Sequence, residues 1–372
     1  MSQPPEHSTA VLTVDLEALA NNYRTLCAAA GGKPCAAVVK ADAYGVGMER
    51  VVPILESAGC TTFFVATLDE AVALRAVSPD CEIHMFNGLL PGMEKDLQTH
   101  RIVPVLNDLG QIERWSHFCQ WADERLPADI HFDTGMNRLG LSKSEQDVLF
   151  QSQDRLSALT LDMAVSHLAC ADDIKHPMNA RQLSWFERIR TSLGNARASL
   201  ANSSGIYLGP DYHFDIPRPG CALYGVNPRP EIPNPMSNVV RLQGRVLQVR
   251  DVDSDMSVGY GATHTVEKGD KIATIAVGYA DGYLRCLGNL GVTFINDVKL
   301  PVVGRVSMDL ITIDITDAPE GLVHPGVLVD VIGPHNPVDT LADKAGTIGY
   351  EILTSLGSRY HRVYTGGIAP VL

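Results

Sequence analysis

Eight short apolar runs, separated by stretches of helical periodicity, fill the first 230 or so residues, and no other feature limits the fold as strongly. The runs are CAAVVK (35–40), TFFVAT (62–67), CEIHMF (81–86), IVPVL (102–106), ADIHFD (128–133), LDMAVSHL (161–168), RASLAN (197–202) and a last one near YHFDI (212–216). Between the first two, Met48, Val51, Val52, Leu55 and Ala58 recur on one helical face and Gly59 ends the segment. Short continuous apolar strands suit a parallel sheet covered by helices. Eight such βα units point to an α/β protein with an N-terminal (β/α)8 TIM barrel. A doubly wound sheet alternates in the same way, so the count alone leaves both open.

From about residue 236 the texture changes. VVRLQGRVLQVRDV, KIATIAVGYADG, GVTFINDVKLPVVGRVSMDLITIDIT and GVLVDVIG are β-rich and divided by Gly, Asn, Asp and Pro. Only about 341–357 reads as helical. The proline-rich NPRPEIPNPMSN therefore divides a barrel domain, 11–235, from a mainly β C-terminal domain, 236–372. A strand at 11–15, within VLTVDLEAL, is available to join the second domain.

The formal net charge of −13, from 43 acidic and 30 basic residues, argues against nucleic-acid or anionic-membrane partners. The start, MSQPPEHSTA, has neither the basic nor the apolar region of a signal peptide, and no run of about 18 apolar residues offers a membrane span. A cytoplasmic protein is expected. No two of the eight cysteines lie closer than eight residues and no histidine pair has HExxH spacing, so reduced thiols and no metal are expected.

Chemistry concentrates in a few segments. In AVVKADAYGVG (37–47), Lys40 ends a buried-looking strand at what would be the C-terminal mouth of the barrel. An apolar setting lowers the proton affinity of an amine and lets it form a Schiff base. Alone, a lysine there is more often a snorkelling side chain. The whole segment, however, resembles the cofactor-lysine motif of the alanine racemases, with Val46 where His is usual. HFDTGMNRLG (131–140), SHLACAD (166–172), RPGCALYG (218–225), VGYGAT (258–263) and GRVSMDL (304–310) extend the resemblance, in the family's order, over residues 10 to 365 or so.

The resemblance implies a pyridoxal 5'-phosphate (PLP) enzyme that racemises alanine by a two-base mechanism, with Lys40 and Tyr260 as the bases. Lys40 also carries the cofactor. Arg218 faces the pyridine nitrogen; because a guanidinium keeps its proton, it leaves that nitrogen unprotonated and the ring a weaker electron sink. His167 hydrogen-bonds this arginine. Ser203 and the N–H groups of Gly220 and Cys221 hold the phosphate with Tyr44 and Tyr350, and Ser204 is a rival to Ser203. Phosphate sites after strands seven and eight are common in such barrels. Arg138 and the Met308 N–H bind the substrate carboxylate, and Ser307 stands where Cys is often found. Asp172, Tyr279 and Arg285 line an entry corridor.

One departure from the family concerns position 131. Some members carry there a carbamylated lysine that braces the arginine; this chain has His131, so another group, such as a bound anion, must brace Arg138. The family's tyrosine base reaches into the partner's site, which implies a homodimer. A phenol acts as a base at neutral pH only with cations near it, such as Arg138. Alternatives are a broader amino-acid racemase, a PLP-dependent decarboxylase, or a non-catalytic PLP-binding protein. Arg218, Tyr260 and RVSMD disfavour the second, and the β domain disfavours the third. The family typically supplies D-alanine for peptidoglycan.

Overall fold

The computed structural model describes residues 7–367; the MSQPPE start and the last five residues lie outside the described part. The N-terminal strand β1 (Ala10–Asp15) runs directly into a helix, Leu16–Ala29. Asp15 caps that helix, its carboxylate accepting from the N–H groups of Glu17 and Ala18.

Seven parallel strands follow: β2 (Ala37–Val38), β3 (Thr62–Val65), β4 (Glu82–Met85), β5 (Ile102–Leu106), β6 (Pro127–His131), β7 (Thr160–Val165) and β8 (Ala198–Ser199), neighbours in sequence order. Helices connect them, and β3 and β5 are buried along their whole length. Each of the first seven expected runs contains a strand. The eighth does not sit at 212–216, where Pro210–Tyr212 forms a 3-10 turn.

The gap between β8 and β2 is instead spanned by 215–219. Asp215 and Arg218 donate to the carbonyls of Ala198 and Ala201 at 3.0 and 2.8 Å, while the carbonyls of Pro217 and Pro219 accept from Ala36 and Val38 at 2.9 and 3.0 Å. Neither proline has an N–H to give, so they are tolerated where only their carbonyls are needed. The last stave is thus read from IPRPG, a sequence that looks like a loop.

The rest of the chain forms β9 (Val240–Asp251), β10 (Met256–Val258), β11 (His264–Val266), β12 (Lys271–Ile275), β13 (Val292–Ile295), β14 (Val298–Val303), β15 (Ile311–Asp314), β16 (Leu328–Ile332) and β17 (His361–Thr365). The second sheet has the order β12-β15-β14-β13-β16-β9-β1-β17, and β12 also pairs with β9. β1 lies in it, antiparallel to β9 and parallel to β17. The single helical stretch expected at 341–357 is two helices, Val338–Ala345 and Gly349–Thr354, because Gly346 takes a left-handed conformation at the end of the first. No described helix is long and apolar enough to cross a membrane.

Candidate active site

A cavity of about 670 Å³ opens at the C-terminal ends of the barrel strands. It is here that ligand sites of such barrels lie. Lys40, Tyr44, Arg138, His167, Ser203, Arg218, Gly220, Cys221 and Tyr350 all line it, together with Val38, Phe86, Asn202 and His131. Of the adjacent serines, Ser203 lines the cavity and Ser204 does not figure in its wall.

Lys40 follows β2 and heads a turn of unusual handedness. Ala41, Asp42, Ala43 and Tyr44 have φ of 53, 53, 53 and 55°. Left-handed backbone costs an L-residue roughly 1–2 kcal/mol, so four in a row must be held by outside contacts. Those contacts are specific. Glu70 accepts from the Ala41 and Ala66 N–H groups, both at 2.7 Å, and Asp42 accepts from Met48 N–H at 2.7 Å. Arg362 and Tyr364, on β17, donate to the carbonyls of Gly45 and Val46 at 2.7 and 2.9 Å.

Lys40 Nζ lies 5.8 Å from the centroid of the Phe86 ring. Burial, and then the Arg138 charge, pull the amine below the usual lysine range, with Glu70 acting the other way. Glu70 was missed in the sequence. Its signal is the capping box it makes with Thr67 at the start of Leu68–Val77.

At the 201–225 end, Ser203 Oγ accepts from the N–H groups of Gly220 and Ala222 at 3.0 and 3.3 Å. A Cβ on Gly220 would stand 2.4 Å from Tyr44 Oη, so the close approach requires glycine. Tyr44 stacks on Tyr224 at 4.7 Å and is 6.2 Å from the ring of Tyr350. Burial pushes both Tyr44 and Tyr350 up, and the Cys221 thiol up to about 11, so all three stay protonated donors at neutral pH. Hydroxyls and backbone N–H groups around a glycine suit a phosphate.

Across the cavity Arg218 is buried. It donates to Ser199 Oγ and, at 2.7 Å, to the Ser166 carbonyl, while its Nε has no partner. Burial brings the guanidinium down to about 10, with Asp129 opposing, so it remains charged. The expected hydrogen bond from His167 to Arg218 is not formed; the two side chains share only the cavity wall.

His131 Nδ1 is 2.8 Å from Asn107 Oδ1, and burial followed by the Arg218 charge pushes the imidazole down to about 4. His167 is driven well below its ordinary range by burial and then by Arg218 and Arg138. Two neutral imidazoles therefore sit among three cations. Asp133 accepts from the N–H groups of Gly135, Met136 and Asn137 and so shapes the turn that presents Arg138. Arg138 is exposed on the cavity wall, and no hydrogen bond braces its side chain among the described residues.

Five expected site residues are outside the cavity wall of this single chain. Tyr260 is 72% exposed on the turn Tyr260–Ala262, and Met308 is also exposed. Tyr279 and Met308 belong to joined loops, since Tyr279 and Ala280 donate to the carbonyls of Ser307 and Met308 at 3.0 and 2.9 Å. Asp172 and Arg285 are exposed.

Residues 14–228 match the family model described as alanine racemase, N-terminal domain, and residues 239–364 match alanine racemase, C-terminal domain. An alanine racemase of Rhodospirillum rubrum is 48% identical over 97% of this chain and 97% of its own length. A catabolic alanine racemase of Mesorhizobium japonicum is 47% identical over 96% of this chain and 94% of its own. Among solved structures, alanine racemase from Bartonella henselae with covalently bound pyridoxal phosphate superposes with a TM-score of 0.93, at 42% identity, covering 96% of this chain and all of that one.

Proposed function

The chain belongs to the alanine racemase family, and from that premise we propose that its barrel-mouth cavity takes PLP and interconverts L- and D-alanine. One observation carries the reading: a lysine of weakened proton affinity, a buried arginine and a hydroxyl-lined glycine cradle line one cavity. The residues fit the cofactor. Lys40 would hold its aldehyde carbon, Arg218 its ring nitrogen with the orphaned Nε among its donors, and Ser203, Tyr44, Tyr350 and the Gly220–Cys221 backbone its phosphate. When bound, the cofactor supplies an aldehyde for the amino group and a ring that takes electrons from Cα.

The chain's own groups do the rest. The desolvated Lys40 amine serves as a base on one face of Cα. Tyr260 of a second copy serves the other face, which makes the active species a homodimer. Arg138, with the Met308 N–H of that copy, holds the substrate carboxylate, and Asp172, Tyr279 and Arg285 line the approach. The Arg218 guanidinium keeps its own proton and would offer none to the ring nitrogen, which would favour return of a proton to Cα. His167 would stand neutral in the same cavity wall as Arg218. In the same reading residues 11–235 form the cofactor domain and 236–372 the domain that completes a neighbour's site, and the enzyme works in the cytoplasm.

The decisive experiment is a chiral assay on protein supplied with PLP. L-Alanine, L-serine, L-lysine and L-arginine are incubated separately and the D-products quantified. D-Alanine forming well ahead of the others is the expected result. Comparable D-products from all four would replace alanine by a wider substrate class, and no D-product at all would remove the racemase reading.

A further inference from the structure

Two loops of the β domain, 278–282 and 304–310, are built as one unit outside the Lys40 cavity. Beyond the bonds from Tyr279 and Ala280, Ser307 closes its own turn, donating N–H and Oγ to the Leu310 carbonyl at 3.0 and 2.7 Å. The two backbones touch. A Cβ on Gly278 would lie 2.3 Å from the Met308 carbonyl oxygen and 2.5 Å from the Asp309 nitrogen, so any other residue there would push the loops apart.

Arg359 locks the pair. Its Nε and Nη2 fork onto Asp281 at 2.7 and 3.2 Å, and its Nη1 reaches Asp309 at 2.7 Å. One guanidinium thus holds a carboxylate from each loop. A surface ion pair is ordinarily worth little, but here the fork is bidentate and Asp281 is buried. The Asp281 carboxylate also accepts from Gly278 N–H at 2.9 Å, and its carbonyl accepts from Gly357 N–H at 3.0 Å. The clamp is therefore tied to backbone on both sides.

What the clamp leaves free is a single donor. The Met308 carbonyl is taken by Ala280 and the side chain of Asp309 by Arg359. The Met308 N–H has no partner among the described residues, and the residue is exposed. A turn already fixed on both sides of a free N–H loses little further freedom when an anionic acceptor arrives.

Arg359 also lies just after the helix Gly349–Thr354, where Tyr350, Glu351 and Thr354 line the chain's own cavity. Arg359 itself turns the other way, toward the loops that the functional reading assigns to a second copy.

We propose that Arg359 is a positioning residue for the active site of the second copy: by holding Asp281 and Asp309 it fixes the turn that presents the Met308 N–H to the substrate carboxylate there. The inference rests on Met308 serving a second copy's site.

The test uses mixed dimers of the full chain, loaded with PLP, in which one copy carries Lys40→Ala and the other Tyr260→Phe. Each mixed dimer has one intact site, made of the lysine of the Tyr260→Phe copy and the tyrosine and Met308 loop of the Lys40→Ala copy. Arg359→Ala is then added to one copy or the other. On the Lys40→Ala copy it loosens the loop of the intact site. KM for alanine is expected to rise about tenfold, the scale of one charge-assisted hydrogen bond, with kcat held within about twofold. On the Tyr260→Phe copy it loosens only the loop of the dead site, and KM is expected to match that of the unaltered mix.

A role in folding alone would move both arrangements alike. Equal KM values in the two, raised or unchanged, overturn the proposal, as does a rise confined to the Tyr260→Phe copy. Should Arg359→Ala fail to fold, Asp309→Asn frees one arm of the clamp and leaves the Asp281 fork in place. It is expected to give a smaller KM rise, again only on the Lys40→Ala copy, and the same value in both arrangements refutes the proposal. If the unaltered mix forms no D-alanine although mixed dimers are present, the shared site falls and the proposal with it. Equal KM values in an active mix remove the proposal alone.

Discussion

Two side chains show how much an environment changes a residue. Lys40 is drawn below the ordinary lysine range by burial and by Arg138, so that more of it is free amine near neutral pH. Lys40→Ala is expected to abolish the visible band of the cofactor-loaded protein; a band that survives with the cofactor covalently held would assign another lysine. His84 is shifted the other way, from 6.5 to about 9. A raised histidine stabilises the fold fully below the unfolded value and loses that contribution as pH climbs through the folded value. The window is therefore pH 6.5 to 9, and about 3 kcal/mol of stability is at stake in it. Melting temperatures of the cofactor-free protein across this window should fall for the wild type and lose most of that slope in His84→Gln. An unchanged slope would mean that His84 is neutral in the fold.

Among the elements, the turn at 40–44 breaks the rules of local propensity most clearly. Ala41 is exposed, yet its φ is 53° and its N–H is held by Glu70. In an ordinary helix an exposed Ala→Gly change costs about 1 kcal/mol. Here glycine escapes the left-handed penalty, so Ala41→Gly should be neutral or stabilising in urea unfolding. Ala41→Val should cost well over 1 kcal/mol despite its exposure, since a branched Cβ fits this backbone poorly. A helix-like ranking of the two would contradict the left-handed geometry. In the loop facing this turn, Gly220→Ala drives a Cβ against Tyr44 Oη. Displacing Tyr44 should raise the dissociation constant for PLP at least about tenfold, or 1.4 kcal/mol, as followed by cofactor titration.

For the whole molecule, the distribution of exposed side chains sets the prediction. Tyr260, Met308 and Ile348 are 72%, 53% and 60% exposed. Ile348 lines the Lys40 cavity, whereas Tyr260 and Met308 stand outside its wall. A homodimer that places Tyr260 of each copy in the other's site predicts complementation. Lys40→Ala and Tyr260→Phe, each nearly inactive alone, should regain about a quarter of wild-type activity when their subunits are mixed equally, because half the dimers then hold one intact site in two. Absence of recovery, with mixed dimers demonstrated by mass spectrometry, would place both bases in one chain.

The sequence alone determined the α/β class, the seven strands that read as apolar runs, the β-rich second half and the lysine, arginine and serine that share the cavity. These are local properties: strand and helix periods are set by near neighbours, and the motif residues lie at the strand ends that a barrel gathers on one face. Only the tertiary structure decided the rest. The eighth stave is 215–219, an extended segment hidden by two prolines that contribute carbonyls alone. Glu70, legible as a helix cap, also clamps the lysine loop, and Asn107 takes His131, through contacts between separate βα units. The His84–Asp129 pair joins residues 45 apart across the barrel. Charges buried in one interior compensate each other through space, and sequence separation carries no record of that distance.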